Sequence, residues 1–191
     1  MSTPFRRELR RLGWGLVIAM IDIRIGYFDL LPDIIGYLMV LSALQHLGSM
    51  HPAYKKAKYI SIVLVILTIP VLFIQTNVMI TEFSSIPLAV HLYSQLLFIL
   101  HILMAYWIFN GLIEMLKQDG AVQLLDTAIS RRNTYLVFNI LMVIIYPFLL
   151  NVEDSWVMLL IAFGILLFIM ELLFLRLPFR VSNVREKRSL N

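Results

Sequence analysis

Residues 87–113 read PLAVHLYSQLLFILHILMAYWIFNGLI, with no Asp, Glu, Lys or Arg among them. A helix needs about 20 residues to cross a hydrocarbon layer roughly 30 Å thick, and this stretch is long enough by itself. In water it would need a polar shell, which the rest of the chain does not supply. Of 191 residues, 60% are apolar and 15% charged, and mean hydropathy is +0.85. Soluble domains run at roughly half apolar and a quarter charged. Lipid must therefore act as part of the solvent, and helices are the local structure that satisfies its own backbone there. The chain reads as all-α, a single polytopic membrane domain over residues 1–191.

Working outward from this run, five more apolar stretches appear, at 12–27, 30–47, 59–80, 135–150 and 156–175. With 87–113 they predict a bundle of about six transmembrane helices. The runs at 12–27, 30–47 and 135–150 are short for a full crossing, which calls for local thinning of the bilayer or a tight hairpin.

The basic residues fix an orientation. Arg6, Arg7, Arg10 and Arg11 precede the first run, and Lys55, Lys56 and Lys58 precede the third. Lys117, Arg131 and Arg132 lie between the fourth and fifth, and Arg176, Arg180, Arg185, Lys187 and Arg188 follow the sixth. The intervening connections carry Asp29, Asp33, Glu82, Glu153 and Asp154 and no cation. Cations gather on the cytoplasmic side of membrane proteins, so both termini are expected there. The N-terminal arm and its apolar run resemble the start of a signal peptide. Asp22 and Arg24 stand where a small-residue cleavage site would follow, and a retained first span is expected.

Smaller signals agree. Trp14, Tyr27, Tyr59, Trp107, Tyr135 and Trp156 fall near predicted span ends, where amphipathic rings favour the headgroup zone. Pro70 and Pro147 predict kinks inside their runs, and Pro178 follows the last one. Gly15 with Ala19, and Gly36 with Ala43, predict close helix contacts. Between 114 and 133, Gly120 predicts a helix stop. Val122, Leu125 and Ile129 beyond it suit either a short interfacial helix or an ordinary loop.

Several function classes are excluded or unsupported. With no cysteine there is no disulfide, no thiolate nucleophile and no Cys-ligated metal. No HExxH, GxSxG or phosphate-cradling glycine loop occurs, so no catalytic residue, metal site or cofactor is expected. The net charge of +4 arises from cations flanking apolar runs, which fits membrane lipid as partner and not nucleic acid.

Ionisable residues at membrane depth are the best functional pointers, since each costs about 2.5–3.5 kcal/mol at mid-helix. Asp22 and Arg24 lie in the first run, about 200° apart on a regular helix, so each needs its own partner. Arg24, near the outer end, is placed either to snorkel to the headgroups or to meet Asp29 or Asp33. Asp29 suits a helix N-cap, and Asp33 complements the positive helix end. His91 and Gln95 share one face of the fourth run, with His101 at the edge of that stripe. Asp22, Arg24, Asp29, Asp33, His91 and Gln95 are the candidate ligand- or ion-binding residues. They are expected in an outer-half cluster that is either a structural hydrogen-bond network or a site. Glu171, one turn inside Arg176, is a secondary candidate for snorkelling or proton relay.

The segment with Asp22-x-Arg24, then Phe28-Asp29-Leu30-Leu31-Pro32-Asp33-Ile34-Ile35-Gly36-Tyr37, resembles one near the start of small multi-pass bacterial membrane proteins that are generally uncharacterised. The resemblance covers roughly residues 20–45. It implies a bacterial plasma-membrane location and carries no activity with it. The expected function is that of a non-enzymatic membrane protein binding a partner or ligand, with a membrane protein or a second copy among the candidate partners. The alternative is a small proton- or cation-coupled transporter or channel.

Overall fold

The computed structural model of the protein describes residues 3–20, 24–25, 28–29, 33–72, 86–149 and 157–189. Six helices make up nearly all of it: α1 Thr3–Met20, α2 Asp33–Leu47, α3 Pro52–Thr68, α4 Leu88–Gln118, α5 Val122–Leu149 and α6 Val157–Ser189. Each packs on its successor and α6 returns to α1, closing a ring. Between α1 and α2, β1 (Arg24–Ile25) and β2 (Phe28–Asp29) form a two-residue antiparallel pair that sets Arg24 opposite Asp29.

Among the described residues, three helices are long and apolar enough to cross a membrane: α4 over Leu88–Gln118, α5 over Val122–Phe148 and α6 over Ile161–Val184. Only 17% and 22% of the apolar windows in α5 and α6 are buried within the protein. The remaining apolar surface, including Ile140, Ile144, Phe148, Ile161, Ile165 and Phe168, needs cover from outside the chain. The first three helices are shorter.

The boundaries differ from the apolar runs in ways the local chemistry explains. The run at 12–27 does not continue as one helix, because α1 ends at Met20 and Arg24–Ile25 is extended. Asp29, expected to cap α2, lies in β2, whereas Asp33 does sit in the first turn of α2, where its charge meets the helix's positive end. Pro70 terminates α3 instead of kinking it; a 3-10 turn, Pro70–Leu72, follows directly.

Gly120 stops α4 as expected. Its φ is +57°, with Gly120 N–H donating to the Lys117 carbonyl (3.0 Å) and Ala121 N–H to that of Leu116 (3.1 Å). This is the Schellman arrangement, which glycine adopts without a Cβ penalty. Beyond it there is neither a separate interfacial helix nor a loop. With no Gly or Pro before Pro147, α5 runs unbroken from Val122 through Arg131 and Arg132 into the fifth apolar run. Pro178 likewise lies inside α6, not past its end.

Contacts at one end of the ring join the starts of odd helices to the ends of even ones. Glu8 Oε2 lies 3.8 Å from His46 Nδ1, and Tyr54 donates to the Met115 sulfur. Ser182, near the end of α6, donates to the Arg6 carbonyl near the start of α1 (3.4 Å); farther in, Arg132 Nη1 donates to Asn110 Oδ1 (2.8 Å) and Arg131 to the mid-helix Leu173 carbonyl (3.2 Å). Successive helices therefore alternate in direction, and their basic ends collect together. Glu8, 3% exposed in this basic end, binds Arg11 (3.2 Å) and Arg7 (3.5 Å).

The predicted small-residue contacts are present. A Cβ on Gly36 would lie 2.6 Å from Ala19 Cα, and one on Gly15 would lie 2.8 Å from Val40 N. The backbones of α1 and α2 therefore meet where a larger residue has no room. At the centre, the rings of Phe109, Tyr135 and Phe174 lie 4.7–5.6 Å apart, tying α4, α5 and α6 together.

Candidate functional site: a histidine–glutamate network inside the bundle

Four polar side chains from four helices meet at mid-bundle. Tyr37 of α2 has its hydroxyl 3.0 Å from His101 Nδ1 on α4. His101 Nε2 lies 3.2 Å from Glu171 Oε1 on α6, and the Tyr135 hydroxyl of α5 donates to Glu171 Oε2 at 2.9 Å. Tyr37 and Tyr135 are 7% and 1% exposed, and the His101 and Glu171 side chains 18% and 17%. Asn139 reinforces the α5 side by donating to the Tyr135 carbonyl at 2.8 Å.

One proton arrangement satisfies all of these contacts. Tyr37 donates to Nδ1, His101 carries its proton on Nε2 and donates to Glu171, and Tyr135 donates to the other carboxylate oxygen. Both Glu171 oxygens thus have a donor, as a carboxyl group placed away from water requires. The imidazole has one nitrogen toward each neighbour. It can accept a proton at Nδ1 and release one from Nε2, the chemistry that suits histidine to a relay. Asp33, one turn before Tyr37, is near enough for its charge to act on both Tyr37 and His101.

The segment 33–37 accounts for this placement. Asp33 opens α2, Gly36 lets that helix meet α1, and Tyr37 is delivered into the interior. Glu171 does not snorkel toward Arg176; it turns inward to His101 and Tyr135. Tyr135, expected near a span end, packs inside the bundle. Because α5 starts at Val122, Tyr135 falls near the middle of that helix and is fully buried.

His91 and Gln95 belong to a second, smaller group. His91 Nδ1 lies 2.9 Å from the Tyr146 hydroxyl of α5, and Gln95 hydrogen-bonds the same hydroxyl. What the described residues show for this pair is therefore a partner on α5. Asp22 lies outside the described residues, and with it the expected meeting of Asp22 and His91. Arg24 and Asp29 are register partners in the β pair. Among the described residues, no three His, Asp or Glu side chains gather as a metal site would require.

Tyr37, Tyr135 and Tyr146 were not among the site residues expected from sequence. A hydroxyl-bearing aromatic is apolar by most of its surface and reads as packing or as an interfacial ring. The available signal was Tyr37 inside the Pro-Asp-x-x-Gly-Tyr segment. Comparison with family models, curated proteins and solved structures finds no match, so the site's own geometry carries the functional reading.

Proposed function

We propose that the chain is a non-enzymatic, multi-pass protein of a bacterial plasma membrane, crossing six times with both termini cytoplasmic. We further propose that it acts by binding a membrane-embedded partner or ligand, with the Tyr37–His101–Glu171–Tyr135 network as the latch that sets the bundle's conformation. The single observation that carries this reading is that α2, α4, α5 and α6 each contribute one side chain to one hydrogen-bonded chain. A partner that separated any of these helices would have to break it. The gathering of basic helix ends at one end of the ring supports the topology. The resemblance of residues 20–45 to a segment of small bacterial membrane proteins supports the location.

Proton- or cation-coupled transport is the second reading, favoured by the unbroken donor–acceptor run through both nitrogens of His101. The two readings separate in proteoliposomes carrying a pH-sensitive dye under an imposed potential. Under the binding reading, wild-type protein leaves the lumenal pH at the rate of empty vesicles. Proton entry that Glu171→Gln abolishes, with the variant still folded, would replace that reading with transport.

A further inference from the structure

A second feature lies away from this network, at the basic end. A groove of about 370 Å³ opens between the start of α3, the end of α4 and the start of α5. That volume is in the range of small-molecule sites, about 300–1,000 Å³. Lys56, Lys117 and Arg132 line it against one carboxylate, Glu114. Glu114 is already held by Lys117 at 2.6 Å. Arg132 reaches only the amide oxygens of Asn110 and Asn133, and Lys56 lies over the Trp107 ring, 4.0 Å from its centroid. Among the described residues neither cation has a carboxylate partner.

The groove is also amphipathic. Ile113 and Ile129 form part of its wall beside Trp107. Leu103, one turn from Trp107 on the same face of α4, is 44% exposed, and Tyr59, one turn beyond Lys56 on α3, is 63% exposed. Cations at the mouth therefore continue into an exposed apolar flank. A soluble anion would use only the first of these features, whereas a two-part ligand uses both.

We propose that this groove binds the phosphate of an anionic phospholipid, with Lys56, Lys117 and Arg132 around the phosphate and the acyl chains along Trp107 and Leu103. The inference rests on the membrane reading above, but not on the Glu171 network. In the test, full-length protein in a neutral detergent is titrated with dioleoyl phosphatidylglycerol, with the phosphatidylcholine of the same chains, and with glycerol phosphate, following thermal unfolding. Phosphatidylglycerol is expected to raise the midpoint saturably and phosphatidylcholine to leave it near its starting value. Lys56→Gln and Lys117→Gln, both at exposed positions, should each weaken the apparent affinity about fivefold, the effect of about 1 kcal/mol per surface cation. Lys55→Gln, an exposed neighbour outside the groove, should leave it unchanged. An equal response to phosphatidylcholine, or equal weakening by all three substitutions, would overturn the site. Stabilisation by glycerol phosphate as strong as by the lipid would overturn the lipid assignment in favour of a soluble phosphate compound. Since no flux is measured, failure here leaves the latch reading standing.

Discussion

His101 Nε2 lies 3.2 Å from Glu171 Oε1, joining the middle of α4 to the middle of α6. Both groups are only partly exposed, and each has a tyrosine hydroxyl on its far side. The contact therefore couples four helices, not two.

Glu171→Ala removes the acceptor of two interhelical hydrogen bonds. At about 0.6 kcal/mol on average and up to about 1.7 for each such bond, it should cost about 1–3 kcal/mol. In a double-mutant cycle, His101→Ala and Glu171→Ala should show a coupling of about 0.6–1.7 kcal/mol. Reversible unfolding in mixed micelles gives the number; strictly additive losses would mean that the two side chains do not interact.

Gly36 and Gly164 make opposite predictions from the same residue type. A Cβ at Gly36 would fall 2.6 Å from Ala19 Cα, while none of the atoms around Gly164 comes within 4 Å of its added Cβ. Gly36→Leu should cost about 1–3 kcal/mol or more by forcing α1 from α2. Gly164→Ala should be neutral or gain up to about 1 kcal/mol from helix propensity. Thermal midpoints of the two variants, measured side by side, check the contrast.

Tyr146→Phe deletes one hydroxyl that serves both His91 and Gln95. The loss expected is about 1 kcal/mol, and His91→Ala in the Tyr146→Phe background should cost less than in wild type. If His91→Ala costs the same in both backgrounds, the ring nitrogen does not depend on this hydroxyl.

The chain has no cysteine, so single cysteines report topology without background. Ser49→Cys and Gln118→Cys, at the basic end, should react with a membrane-impermeant maleimide only after cells are opened. Ile86→Cys, just before α4, should react in intact cells. Labelling of Ser49→Cys and Ile86→Cys from the same side would refute the proposed alternation.

Much of the fold was legible because it follows from solvent and local chemistry. Apolar run length separates lipid-exposed helices from loops, and Gly120, Asp33 and the Gly15/Gly36 contacts act through their own backbone or their immediate neighbours. The boundaries were less legible where a polar stretch is helical. Residues 122–134 look like a connection by composition, yet contain nothing that breaks a helix, so Tyr135 falls within α5 and is buried against its neighbours.

By itself the sequence determined an all-helical chain whose composition calls for lipid, whose basic residues fall at alternate connections, and whose α1 and α2 can approach closely. Only the tertiary structure decided that Tyr37, His101, Tyr135 and Glu171 form one network. Their separations along the chain are tens of residues, and no periodicity within a single helix encodes which face of α2 or α6 turns toward α4. That choice is made by packing around the whole ring, because a buried carboxylate is tolerated only where donors from several helices converge on it.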